Sequence, residues 1–128
     1  MPDLPDTPDG PDPRFLAGVD LFNAGEFFDA HEVWEDLWHE CASPERRFYQ
    51  ALIQAAVALY HFGRGNLTGA ARLYQSGRKY MEPFRPAFLG VTVDAFWDAL
   101  AAHLAGAGPA PVVVLSGGGH TTAPPAPY

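Results

Sequence analysis

The residues most able to do chemistry in this chain lie on one predicted helix, in the segment FFDAHEVWEDLWHEC from residue 27 to residue 41. Apolar residues recur there at helical spacing, and His31 falls at the edge of the apolar stripe. A partly buried imidazole needs a hydrogen-bond partner, and Glu35 lies one turn further along the same face. His31 and Glu35 are therefore the first candidates for a functional pair.

A second polar stripe runs along the next predicted helix, which is otherwise the most apolar helix of the chain. The polar residues of that helix fall on one narrow face: Arg47, Gln50, Gln54 and His61. Two interpretations compete. Either this face is exposed to solvent, or it turns towards His31 and Glu35 and forms a buried polar network between the two helices. Such networks more often fix the register of two helices than perform catalysis.

A metal site is a third interpretation, because the run His31-Glu32-x-x-Glu35 resembles half of a zinc-binding motif. The complete motif needs a second histidine four residues after the first, and Glu35 stands there instead. His61 and a water would have to complete a site with His31 and Glu35, as in metal-binding helical bundles. The chain has no second motif of this kind and too few buried acids, so we expect no metal.

Other reactive groups are explained more simply by structure. The run GGGH at residues 117–120 has no helix after it to bind a phosphate, so no cofactor is expected. Cys41 follows the acidic Glu40, which does not favour a thiolate. Ser43 precedes Pro44 and is predicted to cap a helix rather than to act as a nucleophile.

Charge is distributed unevenly over the 128 residues, and the net charge is −7. Four aspartates in residues 1–12 and seven acids in residues 14–42 contrast with a net excess of cations in residues 43–128. An acidic total argues against general nucleic-acid binding. The basic residues of the second half are expected to pair with acidic neighbours or to face solvent: Arg72, Arg78, Lys79 and Arg85.

The expected location is cytoplasmic. Cys41 is the single cysteine, which fits a reducing compartment, and the N-terminus lacks the pattern of a signal peptide. No apolar run approaches the ~20 residues that span a bilayer, so no membrane association is expected.

The spacing predicts an all-α fold, a single-domain bundle of about five antiparallel helices. The predicted helices run from Pro13 to about Gly25, then over 27–41, 45–62, 66–81 and 92–106. We expect residues 1–12 to form a disordered acidic tail, residues 13–106 to form the helical domain, and residues 107–128 to form an extended, flexible tail. Within that last segment, the apolar run at residues 112–115 is expected to lie extended on the body.

Two parts of the chain have similar sequences at an offset of forty residues. Phe22, Gly25 and Ala30 correspond to Phe62, Gly65 and Ala70, and the second copy loosely resembles half of a tetratricopeptide unit. Repeat arrays usually need ~3 units to be stable. Antiparallel helix pairs joined by short turns also produce such similarity, so we favour a bundle over a repeat array.

Two segments resemble a known family: FNAGEFFDAHEVWEDLW from residue 22 to residue 38, and RRFYQALIQAAVALYHFGRGNLTGA from residue 46 to residue 70. They contain the pattern F-x-x-G-E-x-x-x-x-H-E-x-x-E-x-x-W. With these motifs the chain is similar to domain-of-unknown-function family three hundred and nine, a group of small helical proteins, over about residues 15–105. Ala51 departs from the glycine often seen there. The resemblance implies an all-α fold, no assigned reaction, and one shared constellation of His31, Glu35, Gln50 and Gln54.

Three functional hypotheses follow. The leading one is a non-catalytic domain that binds an unknown protein or small-molecule partner in a groove around His31 and Glu35. The second is a hydrolase, with or without a bound metal, in which His31 acts as a general base oriented by Glu35. The third is a structural or oligomerisation module that associates through exposed Phe and Trp residues of the last helix. An open cleft at His31 would favour the first two hypotheses, and sealed packing would favour the third.

Overall fold

The computed structural model describes residues 11–115, and in this range the predicted all-α fold is confirmed. The five helices are α1 (Pro13–Asn23), α2 (Phe27–Glu40), α3 (Arg46–Gly63), α4 (Leu67–Met81) and α5 (Val93–Leu104). A short 3₁₀ turn, Glu82–Phe84, follows α4. Within residues 11–115, no helix combines the length and apolar character needed to cross a membrane.

Each helix packs mainly against its neighbours in sequence, since short turns join consecutive helices. The helix α3 lies between α2 and α4 and is the most deeply buried, with nine buried residues. Its Phe48, Leu52 and Leu59 face the same core as Phe15 and Trp34 from the first two helices. One continuous hydrophobic cluster therefore holds the bundle together.

Side-chain caps begin two of the helices. The side chain of Asp12 accepts a hydrogen bond from the backbone N–H of Arg14 at 2.8 Å, with Pro13 at the first helical position. The side chain of Asn66 accepts from the N–H of Gly69 at 2.9 Å at the start of α4. These bonds satisfy N–H groups that have no partner within the helix.

The predicted cap at Ser43 is wrong, because α3 begins later. A tight turn comes first, in which the carbonyl of Ser43 accepts from the N–H of Arg46 at 3.0 Å, and the helix starts at Arg46. The Ser43 hydroxyl instead lies 3.3 Å from the N–H of Glu45, within the turn. The turn redirects the chain between two antiparallel helices, so Pro44 belongs to it rather than to α3.

The helices α1 and α2 approach closely where a glycine faces a tryptophan. Gly18 is buried against the indole of Trp34, which is fully buried and donates a hydrogen bond to the carbonyl of Phe15 at 3.1 Å. A Cβ atom on Gly18 would overlap that indole. The absence of a side chain at residue 18 is therefore what lets Trp34 lie across α1.

A hairpin before α5 was not predicted from the sequence. Its strands, β1 (Ala87–Phe88) and β2 (Val91–Thr92), pair antiparallel through a two-residue turn. Both turn residues, Leu89 and Gly90, have positive φ, as in the type I′ turns that join short hairpins. Leucine is an unusual residue there, so the usual sequence signal is missing.

The apolar run of residues 112–115 lies extended on the body, as expected. Val113 is buried, and its backbone is bound at both ends by the Asn23 side chain, with distances of 2.7 Å and 2.9 Å. Leu115 forms a bridge with Val91. We call residues 111–115 the C-terminal strap. The rest of the predicted tails, residues 1–10 and 116–128, lies outside the described residues, so the predicted domain boundaries stay predictions.

Candidate functional site

His31 and Glu35 lie together on α2, as their spacing predicts. The Nε2 atom of His31 is 3.9 Å from a carboxylate oxygen of Glu35, and their side chains are 17% and 46% exposed. The Nδ1 atom of His31 is 2.8 Å from the carbonyl oxygen of Phe28. A carbonyl can only accept, so Nδ1 carries the proton in the neutral ring. The Nε2 atom is then an acceptor that faces Glu35 and the surface.

Aromatic rings surround His31 on the side of α3. The Phe28 ring lies 4.9 Å from the His31 ring and 5.3 Å from the ring of Tyr60 on α3. The guanidinium of Arg64 lies 5.5 Å from the centre of the Tyr60 ring. Phe28 remains 47% exposed, although it belongs to this cluster. The imidazole therefore lies in an aromatic surface patch rather than in the core.

The polar stripe of α3 lies between the two neighbouring helices. On one flank Tyr60 contacts α2, and on the other the Ala51 backbone lies against Gly77 of α4. The residues between these flanks are all half-buried: Gln50, Gln54, Val57 and His61. Helical periodicity places them on the third face of α3. We call this surface the α3 groove, because α2 and α4 lie on either side of it.

Two buried polar atoms, one on α3 and one on α2, have no hydrogen-bond partner within residues 11–115. They are the Oε1 atom of Gln54 and the Nε1 atom of Trp38. Trp38 stands two turns after His31 on the same flank of α2, and the guanidinium of Arg46 stacks on its ring at 4.0 Å. One atom is a hydrogen-bond acceptor and the other is a donor. Buried groups of this kind are normally paired, so both call for a bound molecule or water.

The other charged or titratable residues of the predicted site, Arg47 and His61, contact aromatic rings rather than His31 in the described chain. Arg47 leans away from α2, with its guanidinium 5.0 Å from the centre of the Tyr80 ring on α4. His61 contacts the ring of its neighbour Tyr60 at 6.1 Å. In the described part of the chain, no three His, Cys, Asp or Glu side chains are grouped so as to hold a metal.

Trp38 is the site residue that the sequence did not single out. Its position in the apolar stripe of α2 suggested a simple core residue, whereas it is only partly buried and its indole nitrogen is unpaired. The available signal was its spacing of seven residues from His31, which puts both side chains on one face of the helix.

Two cavities of the described chain lie elsewhere. One is an opening of about 130 Å³ between α4 and α5, lined by Arg78, Trp97 and Asp98 among others. The other, about 380 Å³, is a mostly apolar opening between α5 and the C-terminal strap. Neither is lined by His31 or Glu35.

The comparisons with known proteins concern the segment that contains the α3 groove. The model of the family described as "Domain of unknown function (DUF309)" matches residues 15–73. Over residues 15–73 the chain is therefore similar to this family. The DUF309 segment begins in α1 and ends in α4, so it contains His31, Glu35, Trp38 and Gln54, whereas α5 and the C-terminal strap lie beyond it.

Two relatives are also similar to part of this chain. The chain is 35% identical over 65 residues to "Uncharacterized protein YpuF" of Bacillus subtilis (strain 168), a match that covers 50% of this chain and 37% of that relative. It is 32% identical over 73 residues to an "Uncharacterized protein" of Aquifex aeolicus (strain VF5), covering 56% of this chain and 22% of the relative. The chain therefore matches well under half the length of these relatives.

The prediction that the Phe and Trp residues of the last helix are exposed for self-association is wrong. Phe96 and Trp97 of α5 are only 4% and 5% exposed, because α5 buries them against α4 and α1. They cannot form an adhesive surface while the domain is folded. Of the large apolar residues of the described chain, those left exposed are Phe28, Leu67, Val112 and Val114.

Proposed function

We propose that this domain is a binding module, and that it holds a partner in the α3 groove rather than catalysing a reaction. The observation that carries the proposal is the pair of buried, unpaired polar atoms on Gln54 and Trp38. Leaving a buried donor or acceptor without a partner costs about 1–3 kcal/mol. A bound molecule that supplied both hydrogen bonds would recover that cost and gain affinity from it.

The chemistry of these atoms indicates the chemistry of the ligand. Gln54 Oε1 needs a donor, Trp38 Nε1 needs an acceptor, and the Nε2 atom of His31 accepts a further hydrogen bond at the open end. Each amide group of a peptide supplies one donor and one acceptor, so a peptide segment can satisfy both atoms through different amides. Amide-containing ligands, such as the backbone of a peptide segment, therefore fit this groove best. The exposed Phe28 ring adds an apolar contact beside them.

We further propose that two helical hairpins, the pair α1 and α2 and the pair α3 and α4, act as tetratricopeptide-like units. We also propose that the protein works in the cytoplasm. Each hairpin turns at a glycine with positive φ, Gly25 or Gly65, and each following helix buries a small residue, Ala30 or Ala70. Small residues allow helices to approach closely, as in helical repeats. The single cysteine of the chain supports a reducing compartment.

A thermal-shift screen tests the binding proposal. N-acetylated amino-acid amides and short peptides are added to the protein, because a ligand that binds only the folded state raises Tm. We expect hits that raise Tm for the native chain and for Arg72→Gln, an exposed control on α4, but not for Gln54→Leu. If no compound raises Tm, or if every hit is insensitive to Gln54→Leu, the proposal is wrong.

A further inference from the structure

The cavity between α4 and α5 lies outside the DUF309 segment and apart from the α3 groove. Its lining residues come from the end of α4, the 3₁₀ turn and the start of α5. Its volume is about 130 Å³, and its lining is mostly polar. That size is comparable to the ~150 Å³ cavity that holds a benzene molecule. The cavity therefore suits a ligand of only a few non-hydrogen atoms.

One of the two arginines in this cavity is fully engaged by neighbouring carboxylates. Arg85 binds Asp94 at 2.6 Å and 3.3 Å through two of its nitrogens, and it binds Glu82 at 3.0 Å. The hydrogen bond from Arg85 holds the pKa of Asp94 below its ordinary value, so Asp94 stays ionised. Arg85 therefore has little capacity left to bind a ligand, and the three side chains together keep one excess negative charge.

The other two charged residues of the cavity are not paired in the described chain. Arg78 of α4 and Asp98 of α5 both line the opening, yet no ion pair within 4.0 Å joins either of them to another residue of the range 11–115. They present opposite charges from opposite walls. A ligand with one charge of each sign would be complementary to both.

Trp97 supplies a third, independent feature of the cavity. It is only 5% exposed, it lines the opening, and its Nε1 atom is buried without a hydrogen-bond partner. Tyr74 stacks on its ring at 6.1 Å with an interplanar angle of 23°, which holds the indole in place. An indole N–H can only donate, so the missing partner is an acceptor such as a carboxylate oxygen.

We propose that this cavity is a binding site for a small zwitterion with a carboxylate and an ammonium group, and that a free amino acid is its class of ligand. Arg78 and the Trp97 N–H hold the carboxylate, and Asp98 holds the ammonium group. Charge-assisted hydrogen bonds of this kind are about twice as strong as neutral ones. The site is independent of the α3 groove, so either proposal can fail without the other.

The test is a titration of the ¹⁵N-labelled full chain with L-alanine, followed through the indole resonances of its three tryptophans. We expect the Trp97 resonance to shift saturably with a millimolar Kd. The Trp34 resonance is the internal control and stays unchanged, because its N–H is already bonded to Phe15. Arg78→Gln and Asp98→Asn should each weaken binding at least tenfold, whereas Lys79→Gln, an exposed neighbour of Arg78, should not.

Acetate and ethylammonium are the comparison ligands, since each offers only one of the two charges. Both should bind at least tenfold more weakly than L-alanine. If acetate binds as tightly as alanine, the cavity is an anion site and the proposal is overturned. It is also overturned if alanine shifts nothing up to tens of millimolar, the result expected if Arg78 and Asp98 pair directly in solution.

Discussion

At the scale of single residues, Asp12 is the cap on which the start of the domain depends. Its carboxylate accepts from the Arg14 N–H and also pairs with the Arg14 guanidinium at 3.1 Å. Removing an N-cap acid costs about 1 kcal/mol. We therefore expect Asp12→Ala to lower the free energy of unfolding by that amount in urea denaturation. Asp20→Ala, an exposed change within the same helix, is the control and should have a smaller effect.

Asp12 also allows a prediction of how the stability of the protein changes at acidic pH. The hydrogen bond from Arg14 lowers the pKa of Asp12 below its ordinary 3.8. Because the folded-state pKa is depressed, the stability that Asp12 contributes is present above its ordinary pKa and is lost as the pH falls through the lowered value. The difference in stability between the native chain and Asp12→Ala should thus be constant near neutrality and shrink below about pH 4. A constant difference down to pH 2 would contradict this.

Tyr49 allows a prediction of how the stability of the protein changes at alkaline pH. Burial, reinforced by the nearby Glu45, raises the pKa of its hydroxyl well above the ordinary value of 10.0. Since the folded-state pKa is raised, the stability it contributes is complete below pH 10 and is lost as the pH rises further. Tyr49→Phe should therefore flatten the loss of stability above pH 10, measured by urea denaturation at a series of pH values.

At the scale of elements, the close approach of α1 and α2 depends on Gly18. The added methyl of Gly18→Ala would overlap the buried Trp34 indole, and overpacking of a core costs about 1–3 kcal/mol. Gly63→Ala is the matched control, because its Cβ would meet nothing within 4 Å and its place at the end of α3 suits alanine. We expect urea denaturation to show a loss for Gly18→Ala and a gain of up to ~1 kcal/mol for Gly63→Ala. Equal effects would contradict the packing described.

The helices could be predicted from the sequence because their signals are local. Asp12-Pro13 and Asn66 mark helix starts, while Gly25, Gly65 and Gly106 mark turns with positive φ. The start of α3 was misplaced because the same residues, Ser43-Pro44, can open a helix or form a tight turn, and only the packing of α2 against α3 decides between them. The hairpin at Leu89 and Gly90 was missed because its turn lacks the usual residues.

The site was predictable only in part, for a related reason. Periodicity put His31 beside Glu35 and aligned Gln50, Gln54 and His61, since both facts follow from one helix at a time. How far α2 and α4 cover that stripe depends on how three helices pack, which no single helix encodes. That packing determines three features that the sequence did not predict. They are the hydrogen bond between His31 and the carbonyl of Phe28, the contact of Arg47 with the Tyr80 ring, and the unpaired indole N–H of Trp38.

At the scale of the whole molecule, the C-terminal strap links the two ends of the fold. Asn23 at the end of α1 binds the backbone of Val113, ninety residues away. Burying a valine side chain contributes about 1.5–3 kcal/mol. A chain that ends after residue 110 should therefore have a Tm several degrees lower than a chain that ends after residue 115. Deleting residues 1–10 and 116–128 together is predicted to change Tm by only a few degrees, and a large loss would contradict that prediction.

The shared role of His31 and Gln54 is a whole-molecule prediction too, because it joins two helices. In the described chain no hydrogen bond links them, so any coupling between them acts through a ligand or an intervening water. A double-mutant cycle of His31→Ala and Gln54→Ala is predicted to give a coupling energy of about 0.5 kcal/mol or more. An additive cycle, with Gln54→Ala nearly silent, would leave His31 as a local packing residue.

The measurement that tests the binding proposal most directly is the ¹⁵N–¹H spectrum of the three tryptophan indoles during titration with an amide ligand from the thermal-shift screen. Binding in the α3 groove should move the Trp38 resonance, because its unpaired N–H gains an acceptor, and should leave Trp34 unchanged. Gln54→Leu should abolish the shift and Arg72→Gln should preserve it. A ligand that raises Tm while the Trp38 resonance stays still would contradict the proposed function.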